Sequence, residues 1–120
     1  MITYDEMIEL LDEIACTFPK EFFNDLNGGI VLRRETKKHP DYKSSDLYVL
    51  GEYHKDPYGL GRFIAVYYGS FIQVYGTCNR NAQKRELARI VRHEFTHHIE
   101  ELAGERGLEI KDRLELGKYE

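Results

Sequence analysis

A chain of 120 residues, 42% apolar and 32% charged, is sized for one domain around one core. Its net charge of −4, with no long basic block, offers no electrostatic footprint for nucleic acid. No apolar run approaches the ~18 residues a membrane span needs, and the acidic, amphipathic start lacks the pattern of a signal peptide, so a soluble cytoplasmic protein is expected.

Thr3 and Glu6 have the spacing of a capping box, and Ile2 and Met7 that of a hydrophobic staple. Met7, Leu10, Leu11 and Ile14 recur at helical period, so the first helix buries one face. Phe18-Pro19 ends it. Pro19 opens a second, short helix reaching about Leu26, with Phe22, Phe23 and Leu26 turned inward. Asn27-Gly28-Gly29 is a turn, and Ile30-Val31-Leu32 a short buried strand. Residues 33–46 are polar and read as a loop over the sheet edge, with His39 exposed. Residues 47–53 read as a strand, 54–61 as a turn that uses His54 and Asp56, and 62–68 as the returning strand of a hairpin. Gly69-Ser70 breaks the run, and residues 71–75 read as one more strand or a bent continuation. Asn79 or Asn81 caps a long helix to about Ala103, with Gly104 or Gly107 as its stop. The tail, residues 108–120, has room for another turn or two of helix. Two helices, a small mixed or antiparallel sheet and a covering helix make an α+β layer arrangement. Cys16 and Cys78 have no metal-ligand spacing and read as small buried hydrophobes in a reducing compartment.

The last helix carries His93-Glu94-Phe95-Thr96-His97, an H-E-x-x-H sequence. On a 3.6-residue wheel Leu87, Val91, Phe95, His98 and Leu102 form the apolar arc, and Arg85, Arg89, Arg92 and Thr96 a solvated one. His93 and His97 lie on a third arc at the border, with Glu86, Ile90 and Glu100, where a helix lines a cleft. His98, on the apolar arc, reads as a satisfied core histidine. Two imidazoles one turn apart can converge on one divalent ion, and zinc suits them. Glu94 is turned about 100° from His93 and so meets an activated water better than the metal. Two ligands, a general base and a water make the core of a metal-dependent peptidase. An extended peptide would then lie along a strand edge, 62–68 or 71–75, with Tyr67, Tyr68, Tyr75 or Tyr119 available to steady the oxyanion. Two other classes remain open. One is a zinc-binding module that recognises a peptide or partner, in which Glu94 is dispensable. The other is an interaction domain without metal.

Several segments go beyond the motif: Asn27-Gly28-Gly29 before a short strand, residues 47–53, the Asp56-Pro57 turn closing on Leu60-Gly61-Arg62, Tyr67-Tyr68-Gly69-Ser70-Phe71, and the motif followed by His98. Through them the chain resembles the small zincin-like metallopeptidases, or minimal zincins, over nearly the whole of residues 1–120. The resemblance implies a single zincin-like α+β domain, one zinc ion on His93 and His97, Glu94 as base, and peptidase activity on a peptide or protein. Short members run H-E-x-x-H-x-x-G-x-x-D, but here Glu100 and Ala103 stand at the glycine and the aspartate. The acidic third ligand then moves downstream. Asp112 is preferred, because Asp112-Arg113-Leu114 best matches the residues after the turn in short members; Glu109 and Glu105 are the alternatives. Glu100 and Glu101 lie too far along the helix to close a tetrahedron, and Glu100 is assigned a contact with a ligand histidine.

Overall fold

In the computed structural model, which describes residues 1–39 and 47–106, the chain opens on the expected cap. Thr3 Oγ1 accepts from the Glu6 N–H at 3.1 Å, and Glu6 Oε1 accepts from the Thr3 N–H at 2.8 Å. Helix α1, Tyr4–Ala15, follows and buries Met7, Leu10, Leu11 and Ile14. Ile2 shares their core, as a staple to Met7 requires. The second helix is shorter than its sequence suggests. It is one 3-10 turn, Lys20–Phe23, with Pro19 at the cap position. Asp25, at φ 61, ends it in the left-handed region, which a continuing helix excludes. Leu26 is buried, and Phe22 and Phe23 pack on the same core.

The main sheet has three strands in the order β1-β5-β4. Strand β1, Gly29–Arg33, runs parallel to β5, Gly61–Tyr67; β4, Gly51–Asp56, runs antiparallel to β5. The sheet is therefore mixed. The hairpin is as expected, but β4 runs through His54 and Asp56 to the turn, so both are ladder residues. Central β5 is buried from Phe63 to Tyr67, and its side chains divide by period two. Ile64 and Val66 join the helices' core; Phe63, Ala65 and Tyr67 form a smaller cluster on the other face with Val31 and Val49.

Five expectations need correction. The strand expected over 47–53 is two pieces, broken at Leu50, whose carbonyl accepts from the Tyr67 N–H. The first piece, β3 (Tyr48–Val49), pairs antiparallel with β2 (Lys37–Lys38), inside the stretch read as loop. Lysines hide that strand from a propensity reading. Its hold is tertiary: Ser70 Oγ accepts from the Lys37 N–H at 2.8 Å and donates to the Lys37 carbonyl at 3.0 Å. The run 71–75 is not a strand but part of helix α2, Tyr68–Tyr75. A short apolar run has no period to separate the two forms. Contacts decide it: Phe71 is fully buried, and the Gly69 N–H donates to the Glu35 carbonyl at 3.1 Å. A Cβ at Gly69 would strike Thr36 Oγ1 and the Glu35 backbone. Finally, Cys16 and Cys78 are exposed thiols, not buried ones, and His39 is half-buried, its N–H donating to the Leu47 carbonyl.

Helix α3, Arg80–Arg106, is capped by Asn79, whose Oδ1 accepts from the Ala82 N–H at 2.8 Å. It runs through Gly104, which does not stop it; Gly107 and the tail lie outside the described residues. Leu87, Ile90, Val91 and Phe95 enter the core with Ile64, Val66 and the α1 residues. Thus α3 lies across β4 and β5 with α1 beside it. No helix among the described residues is long and apolar enough to cross a membrane.

Candidate metal centre

The H-E-x-x-H residues sit where α3 passes β4. His93 and His97 are half-buried, one turn apart, with ring centroids 4.5 Å apart and planes at 82°. Their Nε2 atoms converge to 3.1 Å. Two nitrogens on one tetrahedral zinc, each bonded at about 2.0–2.1 Å, stand roughly 3.3 Å apart. The observed separation is close to that spacing. The same approach also serves an N–H···N hydrogen bond between neutral rings, so the spacing suits a metal without demanding one. Glu100 Oε1 lies 3.5 Å from His97 Nδ1, which is the contact expected of it and turns Nε2 toward the cleft.

Both rings and Glu94 line a cavity of about 640 Å³ whose opposite wall is β4, from Gly51 to His54. Glu94 is 5% exposed. Gly51 permits this closeness. A Cβ there would lie 2.9 Å from Ile90 Cγ2 and 3.4 Å from Glu94 Cγ, so any larger residue would push strand and helix apart at the motif. A glycine inside a strand is the one local sign of such an approach.

The strand beside the motif is thus β4, not 62–68 or 71–75: the former is the centre of the sheet and the latter is helical. On its far side β4 pairs with no strand among the described residues. The register sets which groups face that way. The Tyr67 N–H donates to the Leu50 carbonyl and Gly51 stands opposite Val66, so Glu52 and His54 turn their amides toward β5. Gly51, Tyr53 and Lys55 turn theirs to the open edge beside the motif.

The tyrosines expected near the oxyanion are engaged elsewhere. Tyr67 donates to Glu52 Oε1 at 2.6 Å, Tyr68 donates to the Ile2 carbonyl at 2.7 Å, and the Tyr75 hydroxyl accepts from Arg89 at 3.2 Å. Tyr119 lies outside the described residues. Tyr53 lines the cavity instead. Glu52 also lines it, but its Oε1 accepts from Lys37 at 2.8 Å and Tyr67 at 2.6 Å and meets His54 Nε2 at 2.9 Å. Burial raises its pKa, yet the bonds from Lys37, Tyr67 and His54 outweigh that and hold the carboxyl below its usual range. It is an ionised strut between β2 and β4 that sequence reading misses, because Lys37 falls in a stretch with the composition of a loop.

Of the candidate third ligands, Asp112 and Glu109 lie outside the described residues, as does the side chain of Glu105. Among the described residues no three histidine, cysteine or carboxylate side chains form a ready metal site.

His98 is the core histidine expected. It is fully buried, with Nε2 2.7 Å from the Asn24 carbonyl and Nδ1 2.7 Å from the Tyr53 hydroxyl. A carbonyl only accepts, so Nε2 carries the proton and Nδ1 accepts from Tyr53. Desolvation lowers its pKa. The unfolded chain then binds the extra proton first, so stability from this group is complete above about pH 6.5 and is lost as pH falls through the folded-state value. In zinc-free protein, urea midpoints measured from about pH 7.5 down to about pH 5 should fall less steeply in His98→Gln than in wild type. Parallel curves would contradict the assignment.

No family profile matches the chain, and no curated protein matches it. A solved structure does: a conserved hypothetical protein from T. thermophilus superposes with a TM-score of 0.72 at 33% sequence identity, over 86% of this chain and 99% of that one. Its description names no activity. At that identity over nearly its whole length, the chain belongs to the same family as the T. thermophilus protein.

Proposed function

We propose that the protein is a zincin-like, zinc-dependent peptidase. The observation that carries the reading is the convergence of His93 and His97 Nε2 to 3.1 Å, beside a buried Glu94 and an edge of β4 that pairs with no strand among the described residues. His93 and His97 would hold the ion with one carboxylate, Asp112 by preference. When bound, zinc lowers the pKa of a water toward ~7 and polarises a carbonyl.

The chain's own residues supply the rest. Gly51 and Tyr53 offer backbone donors and acceptors to an extended peptide, which adds to the sheet at β4. Glu94 accepts the proton of the attacking water and delivers it to the leaving amine. Glu100 holds His97 by Nδ1, so the ring need not reorient. The competing reading, a zinc-binding recognition module, uses the same edge and the same histidines and leaves Glu94 idle.

Zinc-loaded protein should cut peptides from a mixed extended library, with products read by mass spectrometry. Chelator-stripped protein should not, and added zinc should restore cutting. Equal cutting by the stripped protein would overturn the reading.

A further inference from the structure

The residues that would bond a peptide are also those that hold β4 to the motif helix. Along a strand every second residue shares a face. Gly51, Tyr53 and Lys55 turn their amides to the edge of β4 that pairs with no strand among the described residues, and the same three face α3. Gly51 lies against Ile90 and Glu94, Tyr53 bonds His98, and Lys55 Nζ pairs with Glu101 Oε2 at 2.6 Å. The three contacts are not equal. Gly51 brings no side chain, so it lets strand and helix approach but ties nothing. The Lys55 side chain is 52% exposed, and an ion pair in that much water contributes little and is screened by salt.

The middle contact is of another kind. The Tyr53 hydroxyl donates to His98 Nδ1, the ring centroids stand 5.3 Å apart, and His98 Nε2–H donates to the Asn24 carbonyl. His98 is fully buried, so both bonds lie away from water, and losing either leaves a buried polar atom without its partner. Asn24 follows the 3-10 turn whose Phe22 and Phe23 pack on Phe95, inside the motif. One line of bonds therefore joins the N-terminal segment, the motif helix and the edge strand, and it crosses α3 at the residue after His97. Tyr53 lines the metal cavity, yet its hydroxyl proton is given to His98 and not to a developing oxyanion.

Resting on the peptidase reading, we infer that Tyr53 is a positioning residue for the reaction: through His98 its hydroxyl fixes where the edge of β4 stands relative to His93 and His97. A peptide paired to Gly51 and Tyr53 inherits that position, so the bond sets how the scissile carbonyl meets the histidine pair. Without it the same backbone groups still pair with the peptide, but the carbonyl is carried off line. A misplacement of about 1 Å can cost about 100-fold in rate. The loss falls on kcat rather than on KM, because pairing in the ground state survives.

Steady-state kinetics on a quenched fluorescent peptide, taken from the library sequences that wild type cuts, test this. Zinc content and far-UV circular dichroism are checked on each variant. Tyr53→Phe keeps the ring and removes the hydroxyl. It should lower kcat about 10- to 100-fold, with KM within about threefold of wild type and zinc content unchanged. His98→Leu should lose as much. His98→Gln should recover most of that loss, since its amide accepts from Tyr53 and donates to Asn24. Should His98→Leu not fold, the kcat and KM of Tyr53→Phe decide alone. A purely structural hydroxyl would lower the unfolding midpoint of Tyr53→Phe and leave kcat of the folded enzyme untouched; that result overturns the inference and leaves the peptidase. A rise in KM alone, or a glutamine variant as slow as the leucine one, overturns it too. Zinc-loaded wild type that cuts no peptide overturns the peptidase reading and the positioning role with it.

Discussion

Glu94→Gln should keep zinc and lose cleavage, with kcat/KM falling by about 10²- to 10⁴-fold. That loss corresponds to roughly 3–5 kcal/mol of transition-state stabilisation. The substitution is nearly isosteric, so the packing of a residue only 5% exposed, beside Ile90 and Gly51, is left in place. What changes is proton affinity. An amide cannot accept the water's proton or return one to the leaving amine. Steady-state rates and zinc content, measured on the same preparation, separate the readings. A glutamine variant with full zinc that cuts as fast as wild type would leave only the recognition module.

Phe95→Ala should cost about 3–5 kcal/mol, a third or more of a typical domain's stability. Phe95 is fully buried, with ring centroids 5.0 Å from Phe18, 5.4 Å from Phe22 and 5.0 Å from Phe23. Those partners come from the segment after α1, so this ring seats the motif helix on the N-terminal part of the chain. Removing it opens a cavity between rings that cannot collapse together. For a chain this size the loss lowers Tm by roughly 10–20 °C. Thr96→Ala, one residue on, should change stability by no more than about 0.5 kcal/mol. Denaturant unfolding with unchanged m-value checks both. A loss under about 1 kcal/mol at Phe95 would show that the aromatic cluster is not the anchor.

How much of this was legible depends on how local each cause is. The capping box at Thr3, the arc from Leu87 to Phe95 and the buried His98 are written in helical spacing, and they stand where spacing puts them. The hairpin is local too. Helix α2 was not, because residues 71–75 apart from Gln73 are β-branched or aromatic, and their helix is set by the burial of Phe71 and the grip of Ser70 on Lys37. Strand β2 was hidden for the same reason, since two lysines pair with β3 only under that hydroxyl. The strand order is a long-range fact, and from it follows that β4, not β5, borders the histidines. Gly51 was its one local trace. Tyr53 and Glu52 entered the cleft with β4, unannounced by any motif. The proposed third ligand, Asp112, Glu109 or Glu105, falls downstream of the helix positions that spacing can place.

The reading stands on two imidazole nitrogens that can share one ion. Calorimetric titration of metal-free protein with zinc tests that most directly, run in parallel on His93→Ala and His97→Ala. Wild type should take up one equivalent per chain, and either variant should bind far more weakly while keeping its far-UV circular dichroism. A wild-type protein that takes up no zinc, or variants that bind it as tightly, would contradict the account.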